Sequence, residues 1–237
     1  LAAWALVSAC AALASSGSPN APVDRTLDVA HASAAPLPLT PWFDVLEDPS
    51  GTLSFDQVRS SAMATRFAPS DRSGAAFNFG ITPSAWWLRL RLANPSDAAL
   101  DRLLEVAYAR LSHLDFYAEQ SDGTWHEVHT GTTQPFDSRG YAHRNFVFNV
   151  ALPPHAEQTL YLRMASPTAF VVPTRLWEPA AFHAFERSDY AAQAWYFGMV
   201  SAMVLFNLLL FVRLKDWLYL QYVAFALSVA FAMGAQN

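Results

Sequence analysis

FNLLLFVRLKDWLYLQYV, residues 206–223, decides what kind of fold this chain has. An apolar run stops at Arg213-Leu214-Lys215-Asp216, and an aromatic-rich apolar run begins again. Upstream, residues 190–212 form 23 residues without a charge. A helix of that length crosses a hydrocarbon core of about 30 Å. Gln193, Ser201 and Asn207 are its polar interruptions. Trp195 and Tyr196 lie near its start, and Trp217, Tyr219 and Tyr222 open the second run. Amphipathic rings of this kind favour the headgroup level. A chain leaving a bilayer needs only a few polar residues to turn and re-enter. The stretch therefore reads as a transmembrane α-helical hairpin: 190–212, a loop at 213–216, and 217–237. Arg213 and Lys215 place the positive excess in the short loop. Positive loops stay cytoplasmic, so whatever precedes residue 190 lies on the outer side.

The first residues agree independently. LAAWALVSACAALASS, residues 1–16, carries an apolar stretch too short to span a bilayer but suited to the core of a secretory signal. Ala12-Leu13-Ala14 is a cleavage site before Ser15, and Val7-Ser8-Ala9-Cys10 loosely matches a lipoprotein signal with Cys10 as the lipidated residue. The chain opens without Met or a basic segment, as a clipped piece would. Residues 15–38, rich in Ala, Ser and Pro, read as a linker.

Between 39 and 179 the texture changes to short runs with turn signals. AWWLRLRLAN (85–94) alternates and ends at Asn94-Pro95, which is a strand and then a turn. LLEVAY, HLDFYAE, TWHEVHT, NFVFNVAL, TLYLRMA and VVPTRLW are further strands, and Ser121-Asp122-Gly123 is a hairpin turn. Ser54 caps a short helical turn in SFDQVRS. Seven or eight such strands predict a mainly β protein, a jelly-roll-like antiparallel sandwich. Pro179 starts a juxtamembrane helix, 180–189, that leads into the first span.

Only 15% of residues are charged, against about 25% in soluble domains. The net charge of −5 comes without a basic block, so a nucleic-acid footprint is missing. One cysteine excludes an intramolecular disulfide framework and a cysteine zinc site. No phosphate-cradling glycine loop, nucleophile elbow or redox pair is present, and nothing asks for a cofactor. Asp44, Glu47 and Asp48 cluster in a Pro-flanked loop, and no carboxylate pair for glycosidase chemistry can be assigned.

Two groups of residues are candidates for ligand binding. Period two puts Trp86, Leu88, Leu90 and Leu92 on the core face and Trp87, Arg89 and Arg91 on the outer face. An aromatic plane beside two guanidiniums suits a small polar ligand, a carbohydrate or a carboxylate. Arg stems covering a Trp on a solvated face give the same pattern. In DSRGYAHRNF (137–146), Arg139, His143 and Arg144 bring three donors into one loop. They could equally pin that loop, with Arg144 paired to Asp115 or Glu105. His126 and His129, three apart on a strand, face opposite sides and cannot share one metal ion. Asn207, an amide within a span, is expected to fix helix packing through a partner on another helix.

Several stretches together resemble the bacterial 7TM receptors with diverse intracellular signalling modules, 7TMR-DISM, of the extracellular domain 2 type. They are LEDPSGTLSF (46–55), NFGITPSAWWLRLRLANPSD (78–97), LLEVAYARLSHLDFY (103–117), TGTTQPFDSRGYAHRNFVFNVALPP (130–154), TLYLRMAS (159–166) and LWEPAAF (176–182). YFGMVSAMVLFNLLLF (196–211) and KDWLYLQYV (215–223) add the start of the seven-helix region. Phe206 stands where the family pattern has Tyr before Asn207. The resemblance implies a periplasmic sensor similar to carbohydrate-binding modules, on a membrane unit whose output domain, a diguanylate cyclase or histidine kinase, would lie beyond residue 237. The expectation is thus a non-enzymatic sensing domain and the first helices of a signalling receptor in a bacterial inner membrane. Its partners would be the lipid bilayer, a small polar ligand and a second copy in a homodimer. The runner-up is a membrane-tethered adhesion or scaffold module.

Overall fold

The computed structural model describes residues 25–30, 35–70, 74, 76–168 and 170–234. The signal segment, Cys10 and the last three residues of the second span lie outside them. In chain order the strands are β1 (Thr26–Asp28), β2 (Leu37–Pro38), β3 (Asp44–Asp48), β4 (Ala68–Pro69), β5 (Ala76–Gly80), β6 (Ala85–Asn94), β7 (Leu100–Val106), β8 (His113–Glu119), β9 (Trp125–Thr130), β10 (Phe146–Leu152), β11 (Ala156–Ala165) and β12 (Phe170–Trp177). The helices are α1 (Phe55–Val58), α2 (Ser61–Ala64), α3 (Pro179–Leu214) and α4 (Trp217–Gly234).

The strands form two sheets. One runs β4-β3-β6-β11-β8-β9, with β1 pairing parallel to β6; the other runs β10-β7-β12-β2, with β5 on β12. Every other pairing is antiparallel. The sheets face each other across a core that follows the alternation of the long strands. Leu88, Leu90 and Leu92 of β6 and Leu160, Leu162 and Met164 of β11 are buried together with Leu104, Val106, Phe148 and Val150. Phe116 and Phe148 stack across the layers, with ring centroids 4.3 Å apart and planes 9° apart. Each such side chain contributes about 1.5–3 kcal/mol on leaving water.

Three segments depart from the sequence reading. Within the expected linker, Thr26–Asp28 adds a strand to β6, because Leu27 and Val29 alternate into the core. Asp44, Glu47 and Asp48 belong to strand β3 rather than a loop. The juxtamembrane helix and the first span are one unbroken helix, α3, of 36 residues and about 54 Å. Pro179 starts it, where a missing N–H costs nothing. Lys215, left-handed at φ 58°, ends it. Arg213 and Leu214 remain helical, so the turn between the helices narrows to Lys215 and Asp216. Asp216 Oδ1 then accepts the N–H of Leu218 at 2.9 Å at the start of α4. Many large apolar side chains between Trp195 and Met233, among them Leu205, Phe206, Leu209, Leu218 and Phe231, are exposed, as on lipid-facing surfaces, while Val223 and Ala226 of α4 are buried.

Candidate functional site

On β6 the phase of the alternation is as expected, but the outer face is covered. Trp87 is wholly buried and Arg89 is 8% exposed. The cover comes from the segment carrying α1 and α2. Ser54 Oγ accepts the Gln57 N–H, and the Gln57 side chain accepts the Ser54 N–H, a reciprocal cap that starts α1. The cap aims Phe55 across the sheet. Its ring stacks on Tyr117 at 4.0 Å and meets Trp125 and Tyr161 edge-on. Leu46, Val58, Phe67, Trp87, Tyr117 and Tyr161 form a second apolar cluster on this side of the sheet.

Arg89 is spent inside that layer. Its Nε and Nη2 donate to Asp44 Oδ2 at 3.2 and 2.8 Å, and its guanidinium lies 4.4 Å from the Phe67 ring centroid. Arg91 is half-buried beside β1. Trp87 therefore presents no ring to solvent. The aromatic surface that remains reachable lies one layer further out. A cavity of about 440 Å³ is lined by Trp125, Tyr161, Asp56, Arg59, Glu119 and Thr159, among others. Glu119 and Gly123 also line a neighbouring groove of about 840 Å³ that includes Asp101, His126, Asn149 and Gln158. The two hollows flank the β8–β9 hairpin, where Gly123 at φ 78° makes the turn. His129, on the opposite face of β9 from His126, sits 2.8 Å from Asp115. Tyr117 beneath is pushed up to about 12, by burial first and then by Asp115 and Glu127.

The second predicted group folds into a joint. Arg139 donates to the carbonyls of His143 and Arg144 at 3.0 and 2.7 Å, and its guanidinium lies over the rings of Phe136 and Phe146. These contacts close the loop on itself. His143 is buried, accepts the Asn145 N–H at Nδ1, and meets the Phe182 ring edge-on. Burial lowers its pKa, against the opposing pull of Glu186 and Glu105. The ion pair that Arg144 forms is with α3. Asp115 is taken by His129 and Arg163, and Glu105 by Asn145 and Trp177. Arg144 reaches Asp189 on α3 at 2.9 Å.

Around this ion pair Phe182 is fully buried among Leu103, Val147 and Trp177 on the outer face of the second sheet. Tyr141 Oη lies 3.2 Å from His183 Nδ1. Thus Arg139, His143 and Arg144 come together, but against the helix that runs into the first span. They are remote in the fold from Trp87, which lies behind the other sheet. Asn207 donates to the Met203 carbonyl one turn back at 2.8 Å, rather than across to α4, so its amide N–H is satisfied within its own helix.

The residues that sequence reasoning missed are Phe55, Trp125 and Tyr161 around the hollow, and Phe182 and Asp189 at the joint. The capped SFDQVRS turn signalled the first group. Phe182 appeared only as one more apolar residue in a predicted helix.

Two family models match the chain, in the order of its two parts. Residues 40–178 match the family model described as 7TMR-DISM extracellular 2, and residues 189–237 match that described as 7TM diverse intracellular signalling. No curated protein matches the chain. Among solved structures, a β-glucosidase from Kluyveromyces marxianus in complex with glucose is similar over 62% of this chain and 18% of its own, at 9% identity and a TM-score of 0.37. The stretch between the two family matches, 179–188, is the part of α3 that Phe182 and its neighbours clamp to the sandwich. The chain belongs to the 7TMR-DISM family, as an extracellular 2 domain joined to the beginning of the 7TM region.

Proposed function

We propose that this chain is the sensing part of a transmembrane signalling receptor. In this reading a jelly-roll-like sandwich outside a bacterial inner membrane binds a small polar ligand, and the turn at Lys215 and Asp216 is cytoplasmic. The ligand is a carbohydrate or an organic carboxylate, held in the hollow beside Trp125 and Tyr161. The half-buried Trp125 ring offers a surface for C–H faces, and Arg59, Asp56 and Glu119 offer directed hydrogen bonds.

The observation that carries the signalling reading is the joint. Phe182 is seated in the sandwich, Arg144 holds Asp189, and both lie on the helix that continues unbroken through residues 190–212. A shift of the sandwich on this joint moves the span as a rigid rod. A ligand signals only if it binds two seatings of the joint with different affinity. The ion pair is weak and partly exposed, so it can be exchanged at a cost of about 1 kcal/mol or less.

The test measures ligand binding and joint geometry separately. The full chain in nanodiscs is screened against sugars and organic acids by thermal shift. Spin labels at Ser121→Cys and Arg187→Cys then report the distance between hairpin and helix with and without the hit. A ligand that binds and leaves that distance unchanged, as it would in an adhesion or scaffold module, refutes coupling through the joint.

A further inference from the structure

Outside α3 and α4, the described residues leave three large apolar side chains exposed: Ile81 at 80%, Phe136 at 54% and Val171 at 47%. They come from three separate segments. Ile81 follows β5, Phe136 lies in the β9–β10 connection, and Val171 is near the start of β12.

The strand registers bring all three to one end of the sandwich. Val106, at the end of β7, pairs with Phe146 at the start of β10 and with Thr174 of β12. Val171 extends three residues beyond Thr174 in that direction. Gly80 pairs with Phe170, so Ile81 extends at least as far. Phe136 lies under the Arg139 guanidinium, 4.9 Å from it, and Arg139 donates to the Arg144 carbonyl.

α3 heads towards the same end. Phe182 packs with Val147, and Asp189 pairs with Arg144. Seven helical residues rise about 10.5 Å, and the three strand steps from Val147 back to Arg144 cover about 10 Å. The helix therefore runs nearly along β10 in the reverse chain direction. One strand step beyond Val147 brings Phe146 level with about residue 184 of the helix. Three more strand steps, from Thr174 to Val171, reach about residue 191. That is where the uncharged run begins. Arg110, in the connection after β7, and Arg187 on α3 are exposed at this end, as suits lipid phosphates.

We infer that this end of the sandwich rests on the outer leaflet, with Ile81, Phe136 and Val171 seated among the lipid headgroups. The inference rests on residues 190–212 being a membrane span entered from the sandwich side. Apolar side chains at the interface hold a surface by the same transfer term that holds an amphipathic helix. The contact sets the tilt of the sandwich on the joint, so the lipid surface is a third partner in the geometry that Arg144 and Asp189 define.

Single cysteines test this in the full chain with Cys10→Ser. Ile81→Cys, Phe136→Cys and Val171→Cys each carry an environment-sensitive fluorophore, in vesicles of phosphatidylethanolamine and phosphatidylglycerol containing doxyl lipid. Leu205→Cys reports the span, and Asp122→Cys, at the opposite end of the sandwich, reports solvent. The expected result is at least twofold stronger quenching at the three sites than at Asp122→Cys, together with quenching at Leu205→Cys. Quenching at Leu205→Cys alone overturns the proposal and leaves the span standing. Loss of quenching at Leu205→Cys overturns the span and the proposal together. Disulfide capture of Ile81→Cys by a second copy, without quenching, assigns the surface to a dimer and also overturns it.

Discussion

The Glu105 carboxylate, 1% exposed, accepts the Trp177 indole N–H at 2.8 Å and so locks the last residues of β12 in place just before the helix begins. Its second oxygen accepts the Asn145 amide at 2.7 Å, and Arg175 stands 3.7 Å away. One buried carboxylate thus ties a strand end to a loop, two residues before the membrane helix starts at Pro179. Replacing it with Ala leaves the buried Trp177 indole N–H and the half-buried Asn145 amide without this acceptor. Glu105→Ala should cost about 3 kcal/mol, read as a lower thermal midpoint in detergent.

The Arg144–Asp189 pair is about one-third exposed on each side. Its direct worth is about 0.5 kcal/mol, discounted for solvent screening. Its effect is local. Asp189→Lys should speed amide hydrogen exchange in residues 182–189 by several-fold while leaving the core strands unchanged, and Arg144→Glu in the same chain should restore the slow rate. Exchange that stays slow in Asp189→Lys would show that Phe182 alone holds the joint.

His143 gives the joint an acid dependence. Its folded pKa lies below the ordinary histidine value of 6.5, chiefly because burial penalises the imidazolium. The unfolded chain therefore takes up the proton first. This contribution is at its most favourable above about pH 6.5 and declines as pH falls from there towards the folded pKa. The drop in thermal midpoint between pH 7.5 and 5.5 should be smaller in His143→Gln than in the parent chain.

Trp87 and Trp125 should behave oppositely. Trp87 is wholly buried between the core sheet and the Phe55 layer, so Trp87→Ala should cost about 3–5 kcal/mol. Trp125 lines the hollow and is only half-buried. Trp125→Ala should cost far less stability and abolish the thermal shift caused by the ligand. Retention of that shift would move the ligand elsewhere.

Gly131 sits at φ 142°, where a Cβ would come within 2.2 Å of the Ser112 carbonyl oxygen. Because the obstacle is backbone, a rotamer change cannot relieve it. Gly131→Ala should destabilise by about 1–3 kcal/mol and loosen the β9–β10 connection, measured by unfolding and by proteolysis of residues 131–145.

Much of the fold was legible because local patterns report local structure. AWWLRLRLAN matches β6 residue for residue, and the six other quoted strands all appear. The uncharged run of 190–212 lies wholly within α3. The short strands β1, β2, β4 and β5 were not legible, since their few residues carry too little alternation to stand out from coil. Nor was the burial of Trp87 and Arg89. Period two tells which face a side chain is on, and says nothing of what another segment lays over that face.

By itself, the sequence determined a strand-rich module followed by two apolar helices with a charged turn. Hydrophobic periodicity and run length depend only on neighbours along the chain. Only the tertiary structure decided what Arg144 and Phe182 do. Ion-pair choice depends on which carboxylates are already taken, and here the competitors lie 29 and 39 residues away in sequence, on β8 and β7. The capped turn at Ser54 likewise became a lid over β6 because the rings of Trp87, Tyr117 and Tyr161 on that face receive Phe55.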